Sequence, residues 1–212
     1  MTSIRHHTPD ALLTAYVSGN LPAPFALVIA AHVSMCLECR AALEAQEAVG
    51  GLVLEGSAPT GLSDGLKARV LDRLDSHAAP APRRRPRAGI YPGPVMEALN
   101  GKVPRWRPLG AGVRQHILSA SDAGTARLLF IPAGQSVPDH GHGGLELTLV
   151  LQGSFSDETG QFGVGDLEVV DEDLEHLPIA GTDTPCICLA ATDAPLRFNS
   201  LVSRLLQPLL RI

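Results

Sequence analysis

Apolar and polar positions alternate in two different ways along the chain. Up to about Asp75 the apolar residues recur at helical spacing, whereas beyond about Arg105 they come in short runs bounded by Gly, Pro, Asp and Asn. In the first stretch, Thr8-Pro9-Asp10 reads as a capping residue followed by Pro at the first helical position. Ala11–Val17 continues as helix, and Ser18-Gly19-Asn20 stops it. Phe25 to about Val49 has helical composition, and Gly50-Gly51 is expected to break it. Ser63 is expected to cap a further helix to about Asp75, with Leu66, Val70, Leu71 and Leu74 as its apolar stripe. In the second stretch, Ala126–Ile131, Leu145–Leu151, Asp166–Val170 and Cys186–Ala191 read as short strands, a spacing typical of sandwiches and barrels. The Leu-rich tail, Ser200–Ile212, fits either a short amphipathic helix or a docking strand.

Between the two regimes, Ala78 to Arg87 is rich in Pro and Arg and cannot pack a core. Its prolines favour extended backbone and its charges repel. The expected organisation is multi-domain, α plus all-β: a helical domain at 1–76, a Pro/Arg-rich linker at 77–92, and a β domain of barrel type at 93–212.

Composition sharpens this picture. Hydrophobic residues make up 45% of the 212, enough for a core, but aromatics are only 4%, so that core must rest on Leu, Val, Ile and Ala. The net charge of -5 argues against a general nucleic-acid binder. It is unevenly spread: residues 80–108 carry 7 Lys and Arg against 1 acidic residue, while residues 109–212 carry 5 against 13. The basic run Arg83–Arg87 is read as a solvated linker, with no direct nucleic-acid contact. No apolar stretch follows Met1–His7, so no signal peptide is expected. The longest apolar run, Phe25–Ala31, is too short for a bilayer, so no membrane partner is expected. The expected compartment is the cytoplasm, where four cysteines serve better as thiols or metal ligands than as disulfides.

The chemistry concentrates in two places. His32-Val33-Ser34-Met35-Cys36-Leu37-Glu38-Cys39 is an H-x3-C-x2-C pattern. On one helix, steps of four and three put all three residues on one face; a turn between Cys36 and Cys39 serves as well. A structural zinc prefers four ligands, and the fourth is supplied by His6 or His7, with His7 preferred. The alternative is that these residues are small groups in a helical core; a redox pair at Cys36 and Cys39 is compatible with zinc, since oxidation would eject the ion. This stretch resembles the zinc-binding anti-sigma domain family, and the resemblance covers about residues 5–76. It implies a compact helical bundle that wraps a sigma factor.

The second place is Gly134 to Gly153, which fits G-x5-H-x-H-x3-E-x6-G, the first motif of the cupin family. His140 and His142 lie two apart, on the same side of a strand, and Glu146 shares their parity. A straight strand would leave Glu146 ~13 Å from His142, so Gly141, Gly143 and Gly144 must let the chain bend back. The fourth ligand would be His176, after Phe162-Gly163-Val164-Gly165-Asp166, which resembles the start of the second cupin motif. Here the chain departs from that family: Gly163-Val164-Gly165 replaces Pro-x-Gly, and the Asn that often follows the last His is absent. A His3Glu set suits zinc, manganese, iron or nickel. Cys186 and Cys188 fall on one face of a strand, either as buried small residues or as a sensing pair.

The two halves together resemble the ChrR family of anti-sigma factors, in Arg5-His6-His7, His32 to Cys39, Val137 to His142, Leu145 to Gly153 and Cys186 to Ser200. The resemblance implies zinc ligands at His7, His32, Cys36 and Cys39, and a second divalent metal, zinc again, at His140, His142, Glu146 and His176. It also implies a group IV sigma factor as a 1:1 partner, its release on oxidative stress such as singlet oxygen, and no enzymatic activity. The alternative is a cupin metalloenzyme, a dioxygenase or isomerase, carrying an accessory helical zinc domain.

Overall fold

Helix α1 (Asp10–Val17) begins after Pro9, whose carbonyl accepts from the Leu12 and Leu13 N–H groups. Pro9 itself, with φ -57° and ψ 143°, is therefore the residue before the helix, one position earlier in role than the sequence suggests. Thr8 does not cap with its hydroxyl; its backbone N–H points at Cys39 Sγ, 3.4 Å away. The computed structural model describes residues 3–74, 85–137, 140–141, 143–171, 175–194 and 197–198, with backbone alone at 140, 141, 175, 176, 197 and 198. The tail expected at 200–212 lies outside these residues.

The long helical stretch is two helices, α2 (Ala23–Met35) and α3 (Leu37–Glu55), bent by 115° at Cys36. Gly50 and Gly51 do not break α3, which runs on to Gly56. Two exposed glycines cost about 1 kcal/mol each relative to Ala, and the surrounding Ala, Leu, Glu and Gln outweigh that. Helix α4 (Leu66–Leu74) starts three residues after Ser63, and a short α5 (Gly93–Ala98) leads into the strands. No single helix among the described residues is long and apolar enough to cross a membrane.

The strands are β1 (Arg107–Gly110), β2 (Val113–Ser121), β3 (Gly124–Ile131), β4 (His140–Gly141), β5 (Glu146–Gln152), β6 (Ser154–Ser156), β7 (Gln161–Gly163), β8 (Leu167–Val170), β9 (Glu175–His176), β10 (Ile179–Ala180), β11 (Cys186–Thr192) and β12 (Arg197–Phe198). They form a six-stranded antiparallel sheet in the order β1-β2-β3-β11-β5-β8 and two small sheets, β10-β6-β7 and β12-β4-β9. Gly153 makes the β5–β6 turn at φ +69°, where an added Cβ would stand 2.7 Å from the Pro185 carbonyl oxygen.

Both faces of the central strands are covered, and strict alternation decides which side chain goes where. Leu147, Leu149 and Leu151 of β5 and Ile187, Leu189 and Ala191 of β11 face α2, joining Leu13, Phe25, Val28 and Ile29 in one core. Val150, Cys186 and Cys188 face the other way, against Phe155, Phe162 and Ala180 of the small sheet. Helix α2 is apolar almost all round, as a helix enclosed between a sheet and other helices should be. Burying Phe25, Val28 and Ile29 stabilises the packing by about 1.5–3 kcal/mol each. Ile90 and Tyr91, within the stretch read as linker, are half-buried against this core. The helical and β parts thus share one apolar interior among the described residues.

Candidate metal centre

The bend at Cys36 builds the site. His32 lies in the last turn of α2, Cys36 is the extended residue between the helices (φ -103°, ψ 115°), and Cys39 occupies the first turn of α3. The H-x3-C half of the pattern therefore caps one helix and the C-x2-C half opens the next. The arm before α1 brings His7 to the same point, and the donor atoms of His7, His32, Cys36 and Cys39 all lie within 4.8 Å of one another.

A tetrahedral zinc about 2.3 Å from sulfur and about 2.0 Å from nitrogen separates its donors by about 3.3–3.8 Å. Here His32 Nε2 is 3.2 Å from Cys39 Sγ, and His7 Nδ1 is 3.3 Å from Cys36 Sγ and 3.6 Å from Cys39 Sγ. Three of the six separations are thus near those of such a tetrahedron and all six are within 4.8 Å, so the four groups fit the ion. His6 is not part of it: its ring packs at a tilt of 39° on Phe162, centroids 4.4 Å apart, and its Nδ1 is 3.6 Å from Asp166 Oδ1.

Both imidazoles are held from behind. His32 Nδ1–H donates to the Gly165 carbonyl at 2.9 Å, which leaves Nε2 free for an ion. His7 Nε2 faces Glu38 Oε2 at 3.3 Å, leaving Nδ1 toward the thiols. The sulfurs accept backbone N–H groups, Cys39 N–H to Cys36 Sγ and Thr8 N–H to Cys39 Sγ, each at 3.4 Å. At Cys39 the Thr8 N–H works toward the thiolate, against burial. The sequence shows no sign of Glu38 or Gly165 as partners, because neither pairing belongs to a local motif.

Burial lowers the His32 pKa to about 4, against the opposing Gly165 bond. Burial raises that of Cys39. Hence in metal-free protein His32 stays neutral near neutrality, ready to ligate. The unfolded chain, with an ordinary histidine near 6.5, takes up a proton first as pH falls. Chelated protein is therefore expected to lose stability from pH 6.5 down to about 4, with no further loss from this group below that. Denaturant unfolding at stepped pH measures it, and His32→Gln should flatten the slope.

Of the second ligand set, Glu146 opens β5 with its side chain turned inward and buried, accepting from Thr148 Oγ1 at 3.0 Å. The backbones of His140 and His176 are direct partners across β4 and β9. His142 lies outside the described residues. Beside Glu146 the interior holds Arg127, 6% exposed, whose pKa burial lowers while Glu146 opposes that, and whose Nη1–H donates to Gln115 Oε1 at 3.3 Å. Sequence reading missed Arg127; the available signal was a charge at an inward position of the apolar run Ala126–Ile131. Cys186 and Cys188 are buried with their sulfurs 3.4 Å apart, and their mutual hydrogen bond followed by burial pushes the Cys188 thiol well up. A buried thiol held protonated, as at Cys188, is a poor nucleophile.

The sequence model of the family described as ChrR Cupin-like domain matches residues 97–194. Anti-sigma-E factor ChrR of Cereibacter sphaeroides is 55% identical over 215 residues, covering 99% of this chain and 100% of that protein. A chain in the crystal structure of Rhodobacter sphaeroides SigE in complex with the anti-sigma ChrR superposes with a TM-score of 0.79 at 51% identity, covering 90% of this chain and 100% of that one. An RmlC-like cupin from Ralstonia eutropha aligns at 19% identity with a TM-score of 0.40, over 47% of this chain and 69% of that one.

Proposed function

This chain belongs to the ChrR family of anti-sigma factors, and on that premise we propose that it binds a group IV sigma factor one to one in the cytoplasm and keeps it from RNA polymerase. The observation that carries the reading is an uncovered apolar surface on the helical part. Val49, Leu52, Val53 and Leu54 of α3 and Val70, Leu71 and Leu74 of α4 are all exposed, Leu52 at 69% and Leu71 at 51%. Single exposed apolar residues are ordinary, but a bare apolar stripe on α4 and an α3 end that exposes four apolar side chains all round call for a partner. In the solved relative the partner present is SigE.

In this reading zinc at His7, His32, Cys36 and Cys39 is structural: all four donors are protein groups, and the arm before α1 meets α2 and α3 at them. A second divalent ion, zinc again, sits in the cupin-like domain at His140, His142, Glu146 and His176, supported by the inward carboxylate of Glu146 and the pairing of His140 with His176. That domain senses oxidative stress such as singlet oxygen, and its altered state loosens the grip on sigma. The role is regulatory, not catalytic.

Co-expression with a group IV sigma factor, followed by gel filtration and metal analysis, tests this. The two chains should co-elute in equal amounts with zinc retained. Glu146→Ala should lose about half of the bound metal and keep the complex. A zinc-replete protein that elutes without any such sigma factor would be no anti-sigma factor.

A further inference from the structure

The turn between β7 and β8 is bonded to the arm that carries His7 and to the ring of His32. Asp166 Oδ1 accepts from the N–H groups of Arg5 and His6 at 2.6 and 3.0 Å, and Oδ2 accepts from Gly163 N–H at 2.8 Å. Leu167 N–H donates back to the His6 carbonyl at 3.1 Å. One residue earlier, the Gly165 carbonyl fixes His32. Gly165 lies at φ +93°, and a Cβ there would stand 2.6 Å from Ile4 Cδ1, so the arm is seated directly on its backbone. Burial by itself would raise the Asp166 pKa, but the three backbone N–H groups prevail and hold the carboxyl below its ordinary range. Four contacts from three consecutive residues, Gly165 to Leu167, thus reach His32 itself and the two residues before His7, across more than 130 positions of sequence.

We propose that Asp166 and the Gly165 carbonyl are positioning groups for the helical metal centre, so that the β-domain sets how tightly that centre holds its ion. Asp166 fixes the backbone of Arg5 and His6, and thereby where His7 enters; Gly165 fixes the tautomer and rotation of His32. The turn is tied to the sheet through Gly165 N–H to the Val150 carbonyl at 2.9 Å and Val150 N–H to the Asp166 carbonyl at 3.1 Å. Val150 sits on β5, the strand that Glu146 opens. A change at the inward end of β5 therefore reaches the metal centre through covalent chain and hydrogen bonds, and by linkage an ion in the centre steadies the turn.

The inference rests on the metal-binding reading above, and the full-length protein separates the two. Wild type, Asp166→Ala and Asp166→Asn are loaded with cobalt(II) or zinc, then challenged with a competing chelator. Asp166→Ala should bind the ion about 10- to 100-fold more weakly, as outer-shell losses generally do, and alter the thiolate–cobalt absorption. Asp166→Asn keeps one acceptor oxygen for the arm and should recover part of the affinity and the wild-type spectrum. Should Asp166→Ala fail to fold, Ile4→Ala, which unseats the arm from Gly165 without touching any ligand, should weaken the ion in the same direction. Affinities and spectra within twofold of wild type in folded Asp166 variants overturn the inference. Failure of wild type itself to bind an ion sinks the metal reading instead.

Discussion

Cys39→Ser protein is expected to lose its zinc and, with it, its sigma partner. Cys39 touches more of the centre than any other residue: its sulfur is 3.2 Å from His32 Nε2, 3.6 Å from His7 Nδ1 and accepts the Thr8 N–H. Structural zinc sites hold on the order of 10–16 kcal/mol of folding free energy across four ligands, so one ligand is on the order of 3 kcal/mol, about a hundredfold in affinity. The consequence spreads because the core is shared. Helix α2 covers Leu128, Leu147, Leu149 and Leu189 of the sheet, and loosening its carboxyl end uncovers them. Metal analysis should show the ion gone from this centre, circular dichroism a partial loss of helix, and pull-down no sigma factor. A serine variant that retains full zinc and partner would place the ion elsewhere.

The second large effect separates binding from folding. Leu52→Asp and Leu71→Asp alter side chains that touch little in this chain, so thermal stability should move by no more than about 0.5 kcal/mol each. If these stripes grip sigma, each charge buried in the interface should cost about 2–4 kcal/mol, roughly 30- to 1,000-fold in affinity. Zinc content should be unchanged. A titration of sigma factor into each variant, beside its melting curve, gives both numbers; near-wild-type affinity in both variants would move the sigma surface to another part of the molecule.

Much of this was legible along the chain, for physical reasons. Helices α1, α2 and α3 and the strands β3, β5 and β11 announce themselves because their periodicities serve burial on one face or two. The H-x3-C-x2-C grouping could be read because metal chemistry demands particular side chains at short spacing, whereas spacing does not choose between His6 and His7, and His7 followed from the family resemblance. Gly50-Gly51 misled because a local penalty of about 2 kcal/mol is small beside a 19-residue helix of otherwise good formers. The bend at Cys36 was open in the sequence, since one helix face and a turn satisfy the spacing equally; the structure places Cys36 between two helices. The union of the two halves was not legible. The apolar outer face of the sheet reads simply as buried strand, and nothing in Leu147, Leu149 or Leu189 says that a helix from the other half covers it. Asp166 looks like one acidic residue in a turn until the fold brings Arg5 and His6 to it.

The most direct measurement is calorimetric titration of the sigma factor into the protein in three states: zinc-loaded, chelated, and chelated then refilled. One-to-one binding in the first, none in the second and full recovery in the third is the expected result, with helicity falling and returning in step. Equal binding and equal helicity in the chelated state would contradict the idea that an ion joining His7 to His32, Cys36 and Cys39 makes the sigma-gripping shape.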